Sequence, residues 1–282
     1  MKQMASFLAL LAGGYVLLLL TVFLLQGRMI YYPVEGLAGT PADAGLDYED
    51  VWLEAADGVR LHGWWLPAPG GGRGPGTAVF CHGNAGNVSH RLATLRVIHG
   101  LGLSCLLFDY RGYGRSQGEP SEQGLYMDAA AAWEHAVAER GVEPGRVVLW
   151  GRSLGGAVAA RLARERSDAG QAPGALILES TFSSAVELGR RLYPYLPVRL
   201  LSRHRYPAAR AVAGVDCPVL VMHSPDDDIV PLALGRKVYE AAPEPKRFFE
   251  LAGGHNDGPR ISPGYAPAVQ DFLREFLPGY PG

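Results

Sequence analysis

A chain of 282 residues with 48% hydrophobic and 19% charged side chains is long and apolar enough to bury the core of one large α/β domain. Its formal charge of -2 lacks the basic excess that nucleic-acid binding calls for. Cys81, Cys105 and Cys217 all lie in short apolar runs ("AVFCH", "LSCLLF", "CPVLVM") that read as buried strands, so neither a disulfide framework nor a metal site is expected.

No residue from Gln3 to Gly27 is charged. Within that stretch "FLALLAGGYVLLLLTVFLLQ" (Phe7 to Gln26) has the length, about 20 residues, that crosses a bilayer as a helix. A cleaved signal peptide is the competing reading, but its apolar core is normally about 7 to 15 residues and ends in a small-x-small site. No such site precedes Arg28. We therefore expect residues 1–28 to be an uncleaved single-pass anchor, with Tyr31 and Tyr32 in the interfacial aromatic belt. The flanking charges favour an inside N-terminus only slightly.

Next, "DVWLEAADGVRLHGWWLP" alternates apolar and polar residues on both sides of Asp57-Gly58, the pattern of a hairpin. After the loop "APGGGRGPG" the pattern changes. Apolar runs at Thr77 to Cys81, Leu103 to Phe108, Val147 to Trp150, Ala175 to Leu178, Val219 to Met222 and Arg247 to Leu251 alternate with helix-length stretches such as "SEQGLYMDAAAAWEHAVAER" and "PLALGRKVYEAA". That order predicts a mostly parallel sheet covered on both faces, whose ligand sits beyond the carboxyl ends of the strands. The tips to examine are "HGNAGN", "DYRGYGRSQG", "GRSLGG", "ESTFSS", "HSPDDDIVP" and "AGGHND".

Two of these tips contain Gly-x-Ser-x-Gly: "GRSQG" at Gly114 to Gly118 and "GRSLG" at Gly151 to Gly155. With 37 glycines in the chain the pattern arises easily by accident, so context decides. Ser153 follows "RVVLW" after only Gly151 and Arg152 and leads into the helical "LGGAVAARLARE", the strand, sharp turn and helix that expose a nucleophilic hydroxyl. Ser116 lies well past its strand and is followed by Gly118 and Pro120, so it reads as a loop residue.

A serine needs a base, and the base an orienting acid. Of the eight histidines, His255 in "GGHND" fits best, because paired glycines let the loop carry its ring back over the strand tips. His62, His90, His99 and His135 fall within elements, His204 in a basic surface stretch, and His223 reads as a packed tip residue. Three aspartates, Asp226, Asp227 and Asp228, share the loop after Val219 to Met222, and spacing alone does not separate them. Leu154, the residue after the nucleophile, supplies one candidate backbone donor for an oxyanion. Asp109 and Glu179 read as structural carboxylates.

"FCHGNAGNVSHR", "LLFDYRGYGRSQGEPSEQGLYMDA", "WGRSLGGAVA", "SPDDDIVP" and "GGHND", taken in that order, resemble the membrane-anchored α/β-hydrolase domain proteins whose hallmark is the HGNAGN turn. The resemblance runs from about Tyr31 to Phe276. It implies an α/β-hydrolase fold preceded by one transmembrane helix, with residues 29–282 as the catalytic domain and about 181–216 as a cap-like insertion. It aligns His223 with the His of the family's His-Gly-x-x-Asp-x-x-Val-Pro loop, which makes Asp227 the acid, and it assigns the second oxyanion donor to the Asn84 N–H. Ser224 departs from the family's Gly at that position.

The expected activity is that of a serine hydrolase cleaving a carboxylic ester or thioester of a lipid or other acylated molecule through an acyl-enzyme on Ser153, with His255 as base. No cofactor or metal is called for. A peptidase of the same fold and a membrane-tethered scaffold without catalysis are the alternatives. None of the expected catalytic groups precedes His82, so residues from about Met29 onward are expected to suffice for the chemistry. Arg190 to Arg210 ("RRLYPYLPVRLLSRHRYPAAR") holds six arginines and no acid, interleaved with Tyr and Leu. It reads either as a solvated face or as a membrane-contacting segment.

Overall fold

The computed structural model describes residues 1–72 and 74–282; Arg73, in the loop "APGGGRGPG", lies outside the described residues. The chain begins with helix α1 (Lys2–Ile30), built from helix-favouring Leu and Ala with no proline to interrupt it. Among the described residues it is the one helix long and apolar enough to cross a membrane. Strand β1 (Tyr32–Pro33) follows, then the hairpin β2 (Glu49–Glu54) and β3 (Arg60–Leu66).

The alternating part runs β4 (Thr77–Cys81), β5 (Ala85–Gly86), α2 (Leu92–Gly100), β6 (Ser104–Phe108), α3 (Glu122–Glu134), β7 (Val147–Arg152), α4 (Leu154–Asp168) and β8 (Ala175–Glu179). Three short helices come next: α5 (Ala185–Leu192), α6 (Val198–Leu201) and α7 (Ala208–Val212). The chain closes with β9 (Val219–His223), α8 (Leu232–Ala241), β10 (Lys246–Glu250), α9 (Gly258–Ile261) and α10 (Tyr265–Phe276).

Eight strands form one sheet in the order β10-β9-β8-β7-β4-β6-β3-β2. The six from β10 to β6 pair in parallel, and the hairpin adds two antiparallel strands at one edge. Each expected strand appears within two residues of its expected ends. Because side chains alternate along a strand, neighbours separate to opposite faces. Val79, Leu149 and Leu176 join one apolar cluster with α3, α4 and α8, whereas Phe80, Trp150 and Ile177 join another with α2 and α10. Burial of both faces is what near-continuous apolar strands require.

Between β8 and β9, α7 is buried against α4 and α8, while α5 and α6 are much more exposed. Of the expected cap-like stretch 181–216, α5, α6 and their flanking loops contribute to the lining of the cavity beside Ser153, and none of the residues of α7 does.

Candidate active site

β7 runs straight into α4 with Ser153 as the single residue between them. Ser153 has φ 53° and ψ -119°, a region costly for any residue but glycine. Three bonds hold its backbone there: its N–H donates to Glu179 O (2.8 Å), and its carbonyl accepts from Gly156 N–H (3.0 Å) and from Thr181 Oγ1. The neighbouring glycines are needed because α4 approaches the sheet closely. A Cβ on Gly155 would overlap the carbonyls of Cys81 and His82, and one on Gly151 would overlap the backbone of Gly155 and Gly156.

The loops after β9 and β10 bring the partners. Ser153 Oγ lies 2.9 Å from His255 Nε2, and His255 Nδ1 lies 2.8 and 3.0 Å from the two carboxylate oxygens of Asp227. A carboxylate only accepts, so Nδ1 carries the hydrogen and Nε2 presents its lone pair to the serine. Burial alone would raise the Asp227 carboxyl. The bond and charge of His255, with the Val230 and Ile229 N–H groups donating to Oδ1, hold it below its ordinary value.

The three aspartates thus take distinct positions. Asp226 is exposed, Asp227 meets the imidazole, and Asp228 Oδ1 accepts the His255 backbone N–H at 2.9 Å. Ser224, the departure from the family pattern, has a physical use here: its Oγ donates to Gly253 O (2.5 Å) and accepts from Asp226 N–H (3.0 Å), tying the acid loop to the histidine loop. His223 is fully buried, and its Nε2–H donates to Val230 O (2.8 Å) beneath that loop.

Leu154 N–H is the first amide of α4, and the first amides of a helix have no intrahelical acceptor. Asn84 follows Gly83, where an added Cβ would come within 3.7 Å of the Ser153 Cβ. The Asn84 side chain faces elsewhere: its Nδ2 donates to Ile30 O at the end of α1, and its Oδ1 accepts from Tyr113 Oη (3.0 Å). Asn87 Nδ2 likewise donates to Val34 O (2.9 Å) and Gly36 O (2.5 Å), and β5 pairs with β1. The asparagines of HGNAGN therefore dock the segment following α1 onto the turn beside the serine. Ser116, by contrast, uses its hydroxyl wholly on backbone, donating to Asp109 O (2.8 Å) and accepting from His62 N–H (2.9 Å). Asp109 accepts from Val88 N–H, and Glu179 pairs with Arg152 and accepts from Tyr265 Oη, as structural carboxylates do.

Above Ser153 and His255 is a cavity of about 450 Å³. Its walls contain features the sequence did not suggest. Val22, Gln26 and Met29 of α1 line it, although none of the expected catalytic groups precedes His82. His204 is half-buried in the same wall rather than on the surface, bonded through Nδ1 to Tyr31 Oη (3.1 Å), which also meets Tyr206 Oη (2.6 Å). Arg91 and Arg152 also line the cavity. Arg152 is paired with Glu179, but among the described residues no carboxylate lies within ion-pair distance of Arg91. Arg91 is held by the turn carbonyls of Gly83 and Ala85, and burial, with the nearby charge of Arg152, pushes its guanidinium down to about 10. No Asp or Glu is among the described residues lining the cavity.

Residues 74–206 match the family model described as "Serine aminopeptidase, S33". The α/β-hydrolase domain-containing protein WAV2 of Arabidopsis thaliana is 36% identical, over 90% of this chain and 89% of its own. Lysophosphatidylserine lipase ABHD12 of Danio rerio is 33% identical, over 73% of this chain and 62% of its own. Among solved structures, the Pyrococcus furiosus esterase Pf2001 superposes with a TM-score of 0.69 at 19% identity, covering 88% of this chain and 98% of the esterase. The sheet order, the strand-turn-helix around Ser153 and the extent of these matches agree: the chain belongs to the α/β-hydrolase family.

Proposed function

We propose that this hydrolase cleaves an ester or thioester linking a long acyl chain to an anionic head, with Ser153, His255 and Asp227 as its catalytic residues. The observation that carries this reading is the unbroken chain of contacts from Asp227 through His255 to Ser153 Oγ, opening into an apolar cavity. Ser153 Oγ attacks the acyl carbonyl while His255 Nε2 takes the hydroxyl proton, and Asp227 stabilises the imidazolium. The N–H groups of Asn84 and Leu154 receive the oxyanion. As the tetrahedral intermediate collapses, the imidazolium returns its proton to the leaving alcohol or thiol. Water, activated by the same imidazole, then releases the acid and regenerates Ser153.

Two features favour an acyl lipid. The cavity walls are mainly Leu, Val, Ile and aromatic side chains, matching a chain. Arg91, a part-buried cation without a carboxylate partner among the described residues, suits a phosphate or carboxylate close to the scissile ester. The relative named a lysophosphatidylserine lipase fits the same chemistry.

The aminopeptidase reading suggested by the family description meets a difficulty. A free α-ammonium group is normally met by a carboxylate, and the described cavity lining offers two arginines and none. The discriminating assay sets an acidic monoacyl phospholipid beside an aminoacyl arylamide, both with full-length protein. We expect turnover of the lipid alone, lost in Ser153→Ala; turnover of the arylamide alone would replace this reading with the peptidase.

A further inference from the structure

We infer that α5 and α6 with their connecting loop are immersed in one leaflet of a bilayer, and that the cavity above Ser153 opens sideways into that leaflet between α1 and this cap. The acyl chain then enters directly from the hydrocarbon. This rests on the lipid-ester reading only for the identity of the chain; the depth of the cap stands on separate observations.

The first is how far the cap climbs along α1. Tyr15 Oη donates to Tyr195 O (2.9 Å), the Arg203 guanidinium lies 5.7 Å from the centre of the Phe23 ring, and Gln26 both donates to Leu201 O (3.3 Å) and accepts from Arg203 N–H (2.7 Å). From Tyr15 to Gln26 a helix rises about 16 Å. The uncharged stretch Gln3 to Gly27 has Tyr15 at its middle. If that stretch fills a hydrocarbon core of about 30 Å, the cap covers the half nearer the catalytic domain.

The second is that the cap is dressed for such a place. Leu200 is 85% exposed and Tyr195 64%, with Leu192 and Tyr193 also exposed, a surface costly in water and continuous with the apolar flank of α1. Irregular backbone enters hydrocarbon only when its polar groups are bonded internally. Most of this segment's N–H groups meet that condition: those of Tyr193, Leu196, Val198, Leu200, Leu201 and Ser202 donate to carbonyls between Gly189 and Val198, Pro194 and Pro197 have no N–H, and only those of Tyr195 and Arg199 lack a backbone acceptor among the described residues. Arg190, Arg191, Arg203 and Arg205 flank the apolar stretch and are placed to meet anionic head groups, while Arg199 has a stem long enough to reach them.

The third is the cavity itself. Val22 and Met29 of α1 and Leu196 and Leu201 of the cap line the same cavity as Ser153. A chain lying between α1 and the cap would therefore already be in the site, and the last two turns of α1 would set which chains fit.

The test uses full-length protein in vesicles of phosphatidylcholine and phosphatidylglycerol, with a nitroxide on Leu200→Cys, Tyr195→Cys, Leu24→Cys as the α1 reference, or Glu275→Cys as the aqueous reference. Relaxation by oxygen against a water-soluble nickel chelate reports depth. We expect the two cap labels to match Leu24→Cys, protected from nickel and open to oxygen; cap labels that match Glu275→Cys would overturn the immersion. For the entry route, Val22→Trp should lower the ratio of long-chain monoacyl lipid turnover to short-chain aryl ester turnover at least tenfold. An unchanged ratio would remove α1 from the acyl site. Wild-type protein that turned over neither ester would sink the esterase reading while leaving the depth result intact.

Discussion

The segments Gly114–Gly118 and Gly151–Gly155 share one sequence pattern and have opposite structural fates. In the second, the serine stands alone between a strand and a helix, in a strained conformation, with its hydroxyl 2.9 Å from an imidazole. In the first, the serine lies in a loop and bonds the backbone of His62 in β3 and of Asp109 just after β6. Glycine serves different ends as well. Gly114 and Gly118 have φ of 55° and 82°, which supply turns, whereas Gly151 and Gly155 make room for the close approach of α4 to β7 and β4. A short pattern therefore specifies chemistry only through the elements it joins.

Substitution should separate the two segments most sharply at the serines. Ser153→Ala is expected to lower kcat by about 10⁶-fold, the scale of losing the nucleophile of a serine triad. Ser116→Ala should leave kcat per folded molecule unchanged while costing about 1–3 kcal/mol of stability, because the His62 N–H loses its acceptor. Ester turnover and urea denaturation check both; a loss of kcat in Ser116→Ala with stability intact would reverse the assignment.

The next largest effect concerns the acid. Asp227→Asn is expected to reduce kcat about 10³- to 10⁴-fold by favouring the wrong imidazole tautomer. Asp226→Asn should change little. Asp228→Asn keeps an acceptor for the His255 N–H and should be mild, whereas Asp228→Ala should cost more. Steady-state kinetics showing the greater loss at Asp228→Asn would move the acid role.

The glycines give a third contrast. Gly155→Ala places a Cβ onto the Cys81 and His82 carbonyls and should prevent stable folding. Gly118→Ala meets side chains alone, Val59 at 3.3 Å and Arg111 Cβ at 3.5 Å, and should cost about 1–2 kcal/mol through its positive φ. Thermal melts that rank these two the other way would show that α4 does not need its close approach.

The smallest effect is a pH dependence beneath the acid loop. Burial holds the His223 imidazole below its ordinary value, so the folded state resists a proton that the unfolded chain accepts near pH 6.5. The unfolded state then binds more protons, and stability is full above that pH and falls as the pH drops below it. His223→Gln keeps a donor for Val230 O without titrating. It should flatten the stability slope between pH 7 and 5; an unchanged slope would assign it to other groups.

Much of the fold was readable from local pattern. The parallel strands declare themselves as apolar runs with tips rich in Gly, Asp and Ser, and Ser153 and His255 follow from elements adjacent to them in sequence. Asp227 was not separable from its neighbours by spacing, since the choice depends on which carboxylate the loop turns toward His255. What the sequence hid is long-range. Gln26 meets Leu201 and Arg203, Tyr31 meets His204 and Tyr206, and the HGNAGN side chains hold the segment after α1, all across large sequence separations. Read alone, α1 was an anchor and His204 a surface residue; only packing makes them walls of the same cavity.

Treating wild-type protein with a fluorophosphonate and mapping the modified residue by peptide mass spectrometry shows directly whether Ser153 is the nucleophile. A single adduct is expected on the peptide containing Ser153, absent in Ser153→Ala and blocked by prior incubation with a long-chain acyl phosphonate. An adduct on Ser116, or none anywhere in correctly folded protein, would contradict it.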